Sequence, residues 1–291
     1  MDYGTPASLD DLPAYYTHVR RGRPPAPEQL DDLRRRYEAI GGTSPLAERT
    51  RAQAAALAAE LGDDWVTVLG HKHAAPSVED GVREVADTGA RLVVGLVLAP
   101  HTAALSTGEY HARAREVAVP AGMVYRAVDA WGDHPVLVEL LAERVGDALA
   151  RLPAGRPAAV VFTAHSLPER AVGYDRPSYP DQLAAVAAKV GLAAGTWEVA
   201  WQSAGRTAEP WIGPDVRDVI AGLPARGVEA AVVCPAGFVS DHLEVLYDLD
   251  VEARQVADGA GVALERTASL NDDPRLAALL AGLVRQAAGL P

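Results

Sequence analysis

Short apolar runs alternate along the chain with longer stretches in which apolar residues recur every three or four positions. The runs fall at 65–70, 92–99, 124–128, 158–163, 198–202, 230–235 and 262–266, and they predict β-strands. The longer stretches fall at 27–40, 46–61, 78–88, 109–117, 136–151, 179–190, 216–223, 241–256 and 274–288, and they predict helices. This strand–helix rhythm predicts an α/β protein with parallel sheets. The run Val93-Val94-Gly95-Leu96-Val97-Leu98 is apolar on both alternations, as in a strand covered by helices on both faces. Pro and Gly cluster in Leu152-Pro153-Ala154-Gly155-Arg156-Pro157, which predicts a boundary between two halves. Each half has a strand ending in a polar signal, Ala99-Pro100-His101 in the first and Thr163-Ala164-His165-Ser166 in the second. Ligands of open α/β sheets sit at the carboxyl ends of the strands, so two facing halves would form a cleft there.

Composition narrows the function. The chain has 291 residues, 49% of them hydrophobic, enough for real cores and against intrinsic disorder. Twenty-seven Lys and Arg against thirty-nine Asp and Glu give a net charge of −12, which repels a phosphate backbone and argues against a nucleic-acid partner. The single cysteine, Cys234, allows no internal disulfide and no cysteine-built metal cluster. The N-terminus is not a basic start followed by an apolar run, and the longest apolar run, 92–100, is far short of the ~20 residues that span a bilayer. A soluble, cytoplasmic protein is expected.

Three segments could carry chemistry. His165 directly follows an apolar strand, at the lip of the sheet, and imidazole moves protons near neutral pH; the plain alternative is a histidine bonded into its loop. Glu244, Asp248 and Glu252 stand at i, i+4 and i+8, so a helix stacks three carboxylates on one face with nothing basic at i+3 or i+4 to offset their repulsion. Such a row suits a divalent cation in transit or a proton relay, and equally a solvated acidic face. The segment Tyr15-Tyr16-Thr17-His18-Val19-Arg20-Arg21-Gly22-Arg23 packs aromatic and cationic residues together. Arginine forks bind carboxylates, so a polyanionic small ligand is one reading and a charged helix end is the other. Ser44, in the loop Gly41-Gly42-Thr43-Ser44-Pro45-Leu46, could cap a helix or bind an anion. No GxGxxG, P-loop, HExxH, CxxC or Gly-x-Ser-x-Gly pattern occurs.

In this order the segments resemble the ferrochelatase family. The resemblance covers nearly the whole chain: Tyr-Gly-Thr-Pro at 3–6, Tyr-Tyr-Thr-His at 15–18, Arg-Arg-Gly-Arg at 20–23 and Tyr-Glu-Ala-Ile-Gly-Gly-Thr-Ser-Pro-Leu at 37–46. It continues through Ala-Pro-His at 99–101, Ala-His-Ser-Leu-Pro at 164–168, Trp-Gln-Ser at 201–203 and Trp-Ile-Gly-Pro-Asp at 211–215. Gly-Phe-Val-Ser-Asp-His-Leu-Glu-Val-Leu-Tyr-Asp at 237–248 closes it. Within the family the chain is most similar to the coproporphyrin III ferrochelatases of monoderm bacteria, which put Fe(II) into coproporphyrin III. The resemblance implies two Rossmann-like domains around a porphyrin cleft, 1–152 and 153–267, with the C-terminal helix within 268–291 returning to the first. It implies His165 as catalytic histidine and Glu244 as its carboxylate partner, with Tyr3 near the metal on the other ring face. It places Arg20, Arg21 and Ser44 near the propionates, and Arg23 completes that cluster. His165, Glu244, Asp248 and Glu252 form the implied metal path, the acidic row lying on a widened helix turn. It implies Fe(II) as substrate, no tightly bound cofactor, no iron–sulfur cluster, a monomer, and haem-pathway enzymes that hand over substrate and product.

Two departures carry expectations of their own. The family has an apolar strand before Tyr-Gly-Thr-Pro, and here only Met1 and Asp2 precede Tyr3. That predicts a first sheet lacking a central strand, a loosely held Tyr3, and an upstream start or a shortened chain. Gly132 stands where related chains carry an aromatic, which predicts a loosened cleft wall. Competing readings are a chelatase for another metal or tetrapyrrole, a non-catalytic porphyrin or haem carrier, and a two-domain solute-binding protein.

Overall fold

The computed structural model describes residues 1–172, 177–191 and 196–290; residues 173–176, 192–195 and 291 lie outside them. The first half carries helices α1 (Leu12–Val19), α2 (Pro27–Ala39), α3 (Leu46–Leu61) and α4 (Val78–Asp87), then strand β1 (Leu92–Gly95), α5 (Thr107–Ala118) and β2 (Val124–Ala127). Helix α6 (Pro135–Arg151) leads to β3 (Ala158–His165), α7 (Tyr179–Gly191), β4 (Trp197–Gln202), α8 (Val216–Gly222) and β5 (Ala230–Cys234). A π-helix (Val245–Ala253), α9 (Arg254–Ala260), β6 (Ala263–Arg266) and α10 (Pro274–Ala288) complete the chain.

The second sheet is parallel, in the order β4-β3-β5-β6. Its central strands have no exposed face. Val160, Phe162, Ala164, Val232 and Cys234 pack into a core shared with α6 and α7. Ala159, Val161, Ala231 and Val233 face the other way, against α8, the π-helix and α9. Strands buried on both sides read as continuous apolar runs, which is why the sequence reveals them. From β3 the chain steps to β4 on one side and then crosses to β5 on the other. The strand order therefore reverses between β3 and β5, and a crevice opens at such a reversal beyond the carboxyl ends. Cys234 is buried in β5, where burial pushes its thiol up to about 12. Helix α10 packs on α3, α6, β1 and β2. No helix among the described residues is long and apolar enough to cross a membrane.

The first sheet is reduced. β1 pairs in parallel with β2. Residues 65–70, expected as a strand, run without a ladder partner, so that expectation is corrected. Between them and β1 lies a cavity of about 710 Å³ lined by apolar residues including Leu57, Val82, Leu92 and Val94. Met1 and Asp2 occupy one end of this gap. The Met1 ammonium donates to the Leu96 carbonyl at 2.7 Å, and the Lys72 amide donates to the Asp2 carbonyl at 2.9 Å. Burial lowers the pKa of the Met1 ammonium. Tyr3 is anchored rather than loose: its carbonyl accepts the His73 amide at 2.9 Å and its ring lies 4.6 Å from that of His73. Val66, 55% exposed, and Leu92, 36% exposed, flank the open slot. Adding about five β-branched residues ahead of Met1 is expected to fill it and raise Tm by about 5 °C, whereas a Gly/Ser extension of equal length leaves Tm unchanged. Thermal scans of the two extended chains decide this.

Candidate functional site

His165 is the last residue of β3, and Glu244 immediately precedes the π-helix in the segment that follows β5. They thus lie at the end of β3 and in the segment that follows β5, the two strands between which the strand order reverses. His165 Nε2 lies 3.5 Å from Glu244 Oε1. Nδ1 of the same ring donates to the Ser166 carbonyl, which orients the imidazole and leaves Nε2 to face the carboxylate. Glu244 Oε2 lies 3.6 Å from Nε2 of His242, so the carboxylate stands between two imidazoles. His165 and Glu244 line a cavity together with Tyr3, Ser44, Tyr179 and Leu167. The Tyr179 hydroxyl donates to the His165 carbonyl at 3.1 Å. Gly237 admits this arrangement because a Cβ there would come within 2.4 Å of Ala164 Cβ, one residue before His165.

The electrostatics of the pair are lopsided. Burial pulls the His165 imidazole down, but the charge and hydrogen bond of Glu244 and the Ser166 carbonyl outweigh it and hold it up at about 9. Burial raises Glu244, and the facing His165 more than reverses this, so its carboxyl sits well below the usual range. Both directions favour an imidazolium facing a carboxylate.

The acidic row is real, and it has counter-charges the sequence spacing does not reveal. Asp248 is buried, accepts from the Ser203 hydroxyl, and lies 3.8 Å from Arg36 of α2. Burial first, then the Glu244 charge, raises its carboxyl to about 6. Glu252 pairs with Arg217 of α8 at 3.3 Å. The row lies on the π-helix, whose wider turn is a common mark of functional sites. The helix expected over 241–256 is thus a π-helix continued by α9. Asp241 lies outside it and ties down its own loop, accepting from Ser269 at 2.7 Å and Asn271 at 3.0 Å.

The arginine cluster stands apart from the cavity lining, at the end of α1. Arg20 stacks on Tyr16 at 5.7 Å, Arg23 donates to the Arg20 carbonyl at 3.4 Å, and Arg21, with an 81% exposed side chain, reaches Glu109 at 3.2 Å. Ser44 is buried in the lining, where its hydroxyl accepts the Leu46 amide at 3.3 Å. The expected loose wall at Gly132 is corrected: a Cβ there would come within 2.7 Å of His101, whose buried ring fills the space. Burial holds that imidazole down at about 4.

Sequence reasoning missed the Lys72-His73 pair. Lys72 meets Glu109 at 2.6 Å, and His73 Nδ1 lies 3.0 Å from Nδ1 of His18. It also missed Arg36 and Arg217, whose partners lie on other elements. Among the described residues no three His, Cys, Asp or Glu side chains converge to hold a metal ion. The cavity offers the pair His165 and Glu244, and a bound ligand would supply the remaining donors of any metal held there.

The chain is 42% identical over 300 residues to the coproporphyrin III ferrochelatase of Bacillus subtilis strain 168, covering 99% of this chain and 96% of that protein. It is 44% identical over 295 residues to the coproporphyrin III ferrochelatase of Anoxybacillus flavithermus, covering 98% and 93%. Among solved structures, that of SirB from Bacillus subtilis with Fe3+ aligns with a TM-score of 0.62 at 16% identity, covering 83% of this chain and 89% of that one, which shows a shared chelatase fold. The structure of CbiX, described as the terminal enzyme of sirohaem biosynthesis in denitrifying bacteria, aligns with a TM-score of 0.56. The family model described as ferrochelatase matches residues 1–288, through both sheets and every segment that lines the cavity, and the chain accordingly belongs to the ferrochelatase family.

Proposed function

We propose that this chain inserts Fe(II) into coproporphyrin III, producing iron coproporphyrin for haem synthesis. The observation that carries the reading is the His165–Glu244 pair, 3.5 Å apart at the strand-order reversal and lining a cavity. The names of full-length relatives support the choice of tetrapyrrole.

Insertion replaces two pyrrole protons with one dication, so the site must receive a metal and remove protons. In the resting pair the proton sits on His165 Nε2, opposite Glu244. An arriving dication favours a neutral imidazole, and the displaced proton passes to Glu244 and on to Asp248, whose carboxyl is raised to about 6. Nε2 then takes one pyrrole proton and hands it to the Glu244 carboxylate beside it, and the second pyrrole proton follows the same route out along the carboxylate row. Asp248, with its raised pKa, takes up and releases protons near neutrality, and Glu252 continues the row outward; the three carboxylates serve metal entry and proton exit. Tyr3 lines the same cavity and closes it on the side of the first half. Puckering the ring exposes the pyrrole lone pairs, and that strain is drawn from binding energy elsewhere on the tetrapyrrole. Arg20, Arg21, Arg23 and Ser44 meet the propionates; Arg21, highly exposed, exchanges its Glu109 partner for a propionate. The reading includes a cytoplasmic monomer with no tightly bound cofactor, exchanging tetrapyrrole with haem-pathway enzymes.

Competition between coproporphyrin III, with four carboxylates, and protoporphyrin IX, with two, tests the substrate. The expected kcat/KM ratio is at least about tenfold in favour of coproporphyrin III, and it collapses in an Arg20→Ala/Arg21→Ala chain. Equal rates on both substrates would overturn the choice of coproporphyrin.

A further inference from the structure

His165 ends β3 and Glu244 precedes the π-helix, and something must fix the spacing between them. The residue placed to do so is Gln202. It ends β4, in register opposite His165, and its backbone carbonyl accepts the Ser166 amide at 2.7 Å. Its side chain is 1% exposed and reaches in two directions. The amide oxygen accepts the Thr163 hydroxyl at 2.9 Å, two residues before His165 on β3. The amide nitrogen donates to the backbone carbonyl of Glu244 at 3.1 Å. One buried carboxamide thus joins the strand of the histidine to the main chain of the glutamate. The next residue, Ser203, has φ of +61°, a left-handed conformation that a non-glycine residue adopts at a cost, and its hydroxyl donates to Asp248 one turn further along the π-helix. Two consecutive residues therefore hold the start of the π-helix against the end of β3. Burying a glutamine costs rotamer freedom and desolvation, and those costs are met only when its hydrogen bonds are formed.

We infer that Gln202 is a positioning residue for metal insertion: by holding the Glu244 main chain against β3, it sets the separation of His165 and Glu244. This rests on the insertion reading above. Gln202 touches neither reacting atom; it acts through Glu244.

The test compares two substitutions in the full chain. Gln202→Met keeps the length of the side chain and removes both hydrogen bonds. Thr163→Val removes the hydroxyl and keeps the bond to Glu244. The expected result is a fall in kcat of about tenfold or more in Gln202→Met, with KM for coproporphyrin III within twofold of the parent. In Thr163→Val, kcat falls less than threefold. Crystal structures of the two variants give a readout independent of turnover: the His165–Glu244 separation exceeds 4.5 Å in Gln202→Met and keeps its 3.5 Å in Thr163→Val. Gln202→Asn, whose shorter amide cannot span the gap, replaces Gln202→Met should the latter fail to fold. A parental kcat in Gln202→Met, or losses that track the fall in Tm equally in both variants, would overturn the inference. Should the parental chain insert no metal, the function reading fails by itself and the two crystallographic separations alone decide the role of Gln202.

Discussion

Replacing His165 with alanine lowers the rate of metal insertion by about 10²- to 10⁴-fold, the range expected for loss of a positioned proton acceptor, while coproporphyrin III still binds. The argument is geometric. Nδ1 is engaged by the Ser166 carbonyl, so Nε2 is the working atom, and it faces Glu244 across 3.5 Å. The other imidazole beside that carboxylate, His242, hydrogen-bonds through Nδ1 with the Ser240 carbonyl and meets the second carboxylate oxygen of Glu244 at 3.6 Å. Alanine leaves Glu244 with His242 as its nearest cation-forming neighbour and leaves no group to take the pyrrole proton at the β3 lip. Binding survives because the cavity wall is built by Tyr3, Leu167, Tyr179 and others that the substitution does not touch. Porphyrin fluorescence titration and single-turnover rates, measured on the same preparation, separate the two effects. A variant that inserts iron at the parental rate would remove His165 from the chemistry.

The second large effect is on pH dependence. In the parental chain the carboxylate of Glu244 outweighs the burial of His165 and holds the imidazole up at about 9. The fraction of neutral imidazole, and with it the insertion rate, therefore climbs with pH from neutrality to about 9 before levelling. Glu244→Gln removes the charge that retains the proton. The imidazole falls to its ordinary value near ~6.5 or below, so the rate levels roughly two pH units earlier, at a lower plateau because the carboxylate partner is gone. Stability follows the same linkage. A folded-state pKa above the unfolded value contributes stability that is complete below about 6.5 and is lost as pH rises through about 9. That loss between pH 6.5 and 9 disappears in Glu244→Gln. Rate–pH and Tm–pH profiles of both proteins give the answer, and identical profiles would show that the pair is uncoupled.

How much of this was legible before the structure differs by element. The strands of the second sheet could be read directly, since Val160-Val161-Phe162 is apolar on both alternations and the sheet is covered on both faces. The run at 65–70 is also mostly apolar, yet it forms no ladder, because strand pairing depends on a neighbour that the run itself does not specify. The histidine and the three carboxylates could be read from spacing and resemblance. Their counter-charges could not: Arg36 and Arg217 lie on α2 and α8, far away in sequence, and only the fold sets them beside Asp248 and Glu252. The widened turn of the π-helix was expected from resemblance, whereas periodicity alone predicts an ordinary helix there, since residues four apart share a face in either form. At Gly132 the sequence shows a missing side chain, and only the structure shows that His101 occupies the space.

The most direct measurement is an anaerobic absorbance time course of the purified chain with coproporphyrin III after addition of Fe(II). The account predicts that the four-band visible spectrum of the free base converts to that of iron coproporphyrin much faster than in a protein-free control. A chain that binds coproporphyrin III and leaves its free-base spectrum unchanged by Fe(II) would contradict the account and identify a carrier instead.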